Sequence, residues 1–147
     1  MTTRPLVVTA GEPAGIGPDL CIAAAGRHDL PPFVVIGDAA LLSGRAATLG
    51  ADVTIAVVDD AAPPDALAAD ATLYVIDMPC PHPVDCGRPD PRNAQTLLDG
   101  LAAAVEGCLA GRYAGLVTAP LAKHVIADAG IPFSGHTEYL ADLTDTA

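Results

Sequence analysis

The stretch "LVVTAGEPAGIGPDL" (residues 6–20) joins three kinds of local chemistry. Leu6–Ala10 is a short apolar run, the mark of a buried strand. Residues 11–17 hold three glycines, which let a backbone turn sharply and approach another group closely. Pro18 suits the first turn of a helix and Asp19 its positive end. A buried strand, a glycine turn and a helix running to about Arg27 open an α/β unit.

The rest of the chain repeats that alternation. "FVVIG" (33–37), "DVTIAVV" (52–58), "TLYVID" (72–77) and "AGLVTAP" (114–120) read as four more strands. Asp38 suits the N-cap of a helix through Leu49, closed by Gly50. Residues 92–111 have helical periodicity, with Ala94, Leu97, Leu98, Leu101, Val105, Cys108 and Leu109 on one stripe and Gly111 ending it. Residues 121–130 read as a helix ended by Gly130, and another helix begins near Thr137. Residues 59–71 read as a loop with room for a short helix, and proline-rich 78–92 as irregular chain. Strands alternating with helices predict a layered, largely parallel sheet with flanking helices. Ligands in such folds gather at the carboxyl ends of strands, which selects the loops 11–17 and 118–123.

Composition narrows the function classes. The chain has 147 residues, 51% hydrophobic and 17% charged, a globular balance. Aromatics are 3% with no tryptophan, so Ala, Val, Leu and Ile must build the core. A net charge of −11 argues against nucleic acid and against an anionic membrane surface. It leaves room for a phosphorylated small molecule at a locally positive site. No run of about 18 apolar residues suggests a membrane span. The first residues lack the features of a signal peptide, so a cytosolic location and free thiols at Cys21, Cys80, Cys86 and Cys108 are expected.

Four segments could carry chemistry. In "GEPAGIGP" (11–18), Glu12, Gly15 and Gly17 could meet a ligand, although G-x-x-x-G-x-G is neither the dinucleotide fingerprint nor a P-loop. The alternative is a tight strand-to-helix connection, with Glu12 binding backbone amides. In "TAPLAKH" (118–124), Lys123 could pair with a phosphate or carboxylate as a point charge or be an ordinary solvated lysine, while His124 is expected to face elsewhere. In "SGHTE" (134–138), His136 can donate a hydrogen bond or carry a proton, and Thr137 can donate from its hydroxyl or its amide. A capping motif with Thr137 as N-cap is the competing reading. In "CPHPVDC" (80–86), Cys80, His82 and Cys86 lack a fourth ligand and the usual paired spacing of zinc sites, which favours a proline-stiffened surface loop.

"VVTAGEPAGIGPDL" (7–20), "NAQTLLDGLAAAVEGCLAGRYAGLVTAP" (93–120) and "GLVTAPLAKHVIADAGIPFSGHTEYLAD" (115–142) resemble the 4-hydroxythreonine-4-phosphate dehydrogenases, the PdxA family of pyridoxal phosphate biosynthesis. The resemblance spans nearly the whole chain and is weakest over 59–92. It implies an isocitrate/isopropylmalate dehydrogenase-like fold. It implies oxidation of the 3-hydroxyl of 4-phosphooxy-L-threonine by NAD or NADP, followed by decarboxylation to 3-amino-2-oxopropyl phosphate. A divalent metal (Zn, Mg or Co) and a homodimer belong to that reaction in the family. His136 and Thr137 match the family's substrate-binding His-Thr pair.

The resemblance also sets expectations about what is missing. Family members are longer, and their three metal-binding histidines and later substrate-binding Lys, Asn and Arg follow the His-Thr pair. No histidine follows His136 here, and no metal role passes to His28, His82 or His124. Residues 1–147 are therefore expected to form an N-terminal portion, with no metal site of its own and no dehydrogenase activity alone. Parts of its sheet are expected to need covering, leaving it marginally soluble or partly disordered when expressed by itself. Two other readings share these motifs: a paralogue that oxidises 4-phospho-D-threonate or 4-phospho-D-erythronate, and a non-catalytic remnant or phosphate-binding module.

Overall fold

The computed structural model describes residues 4–60 and 70–146. Five strands form one sheet: β1 (Leu6–Thr9), β2 (Phe33–Gly37), β3 (Thr54–Val57), β4 (Thr72–Asp77) and β5 (Leu116–Thr118). Their order is β3-β4-β2-β1-β5, and every pair is parallel. β2 is central and buried on both sides, so its apolar run is continuous: Val34, Val35 and Ile36 are all buried.

The alternation of side chains splits the core in two. On one face Val35, Leu73 and Val75 pack with Cys21 and Ile22 of α1 (Gly17–Ala24) and with Leu42 and Ala46 of α2 (Ala39–Leu49). On the other, Val7, Val34, Ile36 and Ile76 pack with Ala104 of α3 (Ala94–Leu109) and with Tyr113. A third cluster joins Ala94 and Leu98 of α3 to Ile126 of α4 (Lys123–Asp128). Phe133 and Tyr139 pack against it, Tyr139 from α5 (His136–Thr144). Fully burying a leucine such as Leu42, Leu73, Leu98 or Leu101 is worth about 1.5–3 kcal/mol.

Local chemistry sets most boundaries. Asp38 caps α2 by accepting from the Leu41 N–H at 3.0 Å, and Gly50 closes it in the left-handed conformation. A carboxylate oxygen of Asp77 accepts from the Ala39 N–H at 2.9 Å, fastening the same helix start to the end of β4. Several expected boundaries contract. α1 stops at Ala24, short of Arg27, where Gly26 turns at positive φ against Ala71. β1, β3 and β5 are shorter than their apolar runs, and α4 is confined to six residues. α3 begins at Ala94 behind a 3-10 turn (Pro91–Asn93). It ends at Leu109, whose side chain is 69% exposed and leaves the predicted stripe. The predicted loop at 59–71 falls largely on residues 61–69, outside the described residues.

The strand order places a topological switch between β1 and β5. The chain leaves β1 toward β2 on one side and later returns to β5 on the other. The loops after β1 and β5 therefore meet at the carboxyl edge of the sheet, where parallel sheets hold ligands.

Candidate functional site

The two loops at the switch are bonded to each other. The Glu12 N–H donates to the Pro120 carbonyl at 3.0 Å, and the Ala119 N–H donates to Thr9 at 3.0 Å. Gly11, at φ 74°, is forced by this approach: a Cβ there would lie 2.4 Å from the Pro120 oxygen. Gly17 is equally constrained, since its Cβ would lie 1.8 Å from the Ala10 oxygen. Gly11 and Gly17 thus serve the packing of the chain on itself, while Gly15 is exposed. Glu12 is buried, and its carboxylate accepts from the Ala14 N–H at 3.1 Å. Burial pushes its carboxyl above the ordinary range, opposed by that amide and by His124. His124 thus lies within electrostatic range of Glu12, away from the place that Lys123 borders.

The proline loop docks onto the same region. The Gly87 N–H donates to Ala14 at 2.8 Å, and the Cys80 N–H donates to Asp38 at 2.9 Å. Buried Asn93 clamps the His82 backbone in both directions, at 2.9 and 3.1 Å. Burial and Asp38 push the Cys80 thiol up to about 11, so it stays protonated near neutrality. Among the described residues no group of three His, Cys, Asp or Glu could hold a metal ion. The described residues thus offer no donor set for the divalent metal that the resemblance implies.

The His-Thr segment lies at the start of α5. The N-cap is Gly135 and not Thr137: the helix opens on His136, with no side-chain cap bond. Thr137 is exposed in the first turn, where amide N–H groups lack partners inside the helix. Gly135 has φ 153°, a conformation that suits glycine, and helical geometry begins two residues earlier than a Thr137 cap would set it. The His136 ring stands edge-on to Phe133, with centroids 6.2 Å apart at 80°. Phe133 leans in turn on Tyr139 at 5.6 Å. The Nε2 atom of His136 is buried with no hydrogen-bond partner. Burial, then the nearby Lys123 charge, lowers its pKa below the ordinary 6.5. A neutral imidazole with an unused nitrogen, beside a helix N-terminus and a lysine, is equipped to meet a polar ligand.

Lys123 reaches this place from the first turn of α4. A Cβ on Gly135 would lie 3.3 Å from its Nζ. The structure thus brings Lys123 beside Gly135 and His136, and His124 within electrostatic range of Glu12. Sequence spacing gave no sign of the second proximity, which depends on the pairing of β1 with β5.

Comparison with known proteins agrees with this layout. The family described as "Pyridoxal phosphate biosynthetic protein PdxA" matches residues 29–147. A 4-hydroxythreonine-4-phosphate dehydrogenase of Stutzerimonas stutzeri is 50% identical over 148 residues, covering 99% of this chain and 44% of that protein. One from Pseudomonas aeruginosa is 49% identical, covering 95% and 43%. The crystal structure of 4-hydroxythreonine-4-phosphate dehydrogenase from Klebsiella pneumoniae superposes with a TM-score of 0.89 at 33% identity, over 99% of this chain and 46% of that one. A terephthalate 1,2-cis-dihydrodiol dehydrogenase of Burkholderia xenovorans shares the fold, at TM-score 0.70 and 19% identity. The chain spans less than half the length of these relatives. With a family match over most of its residues and the same arrangement of strands, the chain belongs to the PdxA family of dehydrogenases.

Proposed function

We propose that the chain is the N-terminal, substrate-loop portion of a 4-hydroxythreonine-4-phosphate dehydrogenase serving pyridoxal phosphate biosynthesis. The substrate is 4-phosphooxy-L-threonine. Its 3-hydroxyl is oxidised to a ketone, with hydride passing to NAD or NADP and a proton leaving the hydroxyl. The β-keto acid then loses carbon dioxide to give 3-amino-2-oxopropyl phosphate. In the complete enzyme a nicotinamide would accept the hydride and a divalent metal would polarise the reacting oxygens. A homodimer in the cytosol is the working form.

The observation that carries this reading is His136. It sits in a family-matched segment, its Nε2 is buried without a partner, and its pKa is lowered so that it remains neutral at pH 7. This chain's residues bind and orient: His136 offers an imidazole hydrogen bond, and Thr137 offers a hydroxyl and a first-turn amide. Holding the substrate in one pose is what hydride transfer needs most from the protein.

The test is titration of the chain with 4-phosphooxy-L-threonine, followed at the His136 and Thr137 resonances. Saturable binding, lost in His136→Ala, is expected. Turnover with NAD and a divalent metal is not expected from residues 1–147 alone. Absence of binding, or tighter binding of 4-phospho-D-erythronate, would sink the assignment.

A further inference from the structure

Lys123 is the only lysine in the sequence. Among the described residues every arginine is engaged. Arg27, Arg45, Arg88, Arg92 and Arg112 each pair with an aspartate, and Arg4 donates to the Gly111 carbonyl at 3.0 Å. Among the described lysine and arginine side chains, Lys123 alone has neither an ion pair nor a hydrogen bond to a protein group. On a chain of net charge −11, an ammonium left without a partner is a conspicuous exception.

Its surroundings are specific. Gly135 is buried, and the space a side chain would take there is bounded by Lys123 Nζ at 3.3 Å and Glu138 Oε2 at 3.1 Å. Next along the chain, His136 keeps a buried, unbonded Nε2. An unpaired cation and an unused imidazole nitrogen thus lie together where the start of α4 borders Gly135 and His136 at the start of α5.

We infer that Lys123 and His136 form a two-point seat for one oxyanion of the substrate, a phosphate or a carboxylate, with Gly135 bare because a Cβ there would crowd Lys123 and Glu138. This rests on the reading of His136 as a substrate ligand and adds a second residue and a charge to it. Lysine supplies a point charge that needs no fixed geometry. The neutral imidazole supplies a directed hydrogen bond, and the first-turn amides of α5 add partial positive charge. Glu138 Oε2 borders Gly135 as well and competes for the same ammonium. Lys123 is thereby a binding residue, and the β5–α4 turn is part of the site and not merely its neighbour.

The test uses the 147-residue chain, nitrogen-15 labelled, with inorganic phosphate and L-threonine as separate probes. At least one probe is expected to give saturable shifts at the Gly135–Glu138 amides. Lys123→Met, an exposed change that leaves the fold intact, should weaken that binding about tenfold or more. Lys123→Arg should retain most of it. Phosphate alone binding identifies a phosphate seat, and L-threonine alone a carboxylate seat. The seat is overturned if neither probe gives a saturable shift, or if Lys123→Met binds like the parent chain. With 4-phosphooxy-L-threonine as ligand, loss in His136→Ala but not in Lys123→Met would remove the seat and leave the substrate reading standing. Binding unchanged in both variants would remove both.

Discussion

Two glycine-bounded loops look alike in the sequence and differ in the structure. Residues 11–17 turn inward. Gly11 and Gly17 make way for the backbone of Pro120 and Ala10, and Glu12 satisfies the Ala14 amide. Residues 134–138 leave groups unsatisfied: His136 keeps an unbonded nitrogen, and α5 has no side-chain cap. The difference teaches that glycine content marks close approach, whereas unpartnered polar atoms mark a place for a ligand. The first loop packs the chain on itself, and the second is the segment we propose for the ligand.

The contrast can be broken at the first loop. Gly17→Ala drives a Cβ into a backbone oxygen that cannot swing aside, so we expect about 3 kcal/mol or more of lost stability. Denaturant unfolding measures it, and a loss under 1 kcal/mol would mean the loop relaxes easily. Phe133→Ala comes next, at about 2 kcal/mol, because it removes the ring that packs on both His136 and Tyr139. His136→Ala should change stability by less than about 1 kcal/mol while removing substrate binding. A large loss of stability with binding intact would reverse the roles assigned to the two loops.

Two smaller effects sharpen the contrast through pH. Glu12 has a raised pKa, so its folded form holds a proton more tightly than its unfolded form. Stability should fall as pH rises from about 4.5 through the folded value. In Glu12→Gln that fall should vanish, because the amide oxygen still accepts from Ala14. His136 has a lowered pKa, so stability should be lost as pH falls from about 6.5 through its folded value. Nuclear magnetic resonance titration of its ring should give a midpoint below 6.5, and one above 6.5 would contradict the neutral imidazole.

Much of the fold was legible because its causes are local. The runs at 33–37 and 72–77 became strands with those bounds, and Asp38 and Gly50 cap α2 as read. Ends set by tertiary contact were not legible. α1 ends at Ala24, ahead of Gly26, which turns at positive φ beside Ala71, and Thr137 lost the N-cap to Gly135. Site residues were legible by type and not by partner: Lys123 and His136 stood out as residues, but their proximity needed the fold. Asn93 gave no signal at all, since an asparagine before a helix is ordinary, and only its two bonds to His82 show its work.

The solitary lysine has a practical consequence. Lys123 is exposed and is the only side-chain primary amine in the protein. An acylating ester should therefore modify the chain at this residue and at its amino terminus and at no other amine. Protection of Lys123 from acylation, read by mass spectrometry of one peptide, would report occupancy of the site with no enzymatic turnover and no added label. The protein carries its own chemical footprinting probe at the place where the ligand is expected.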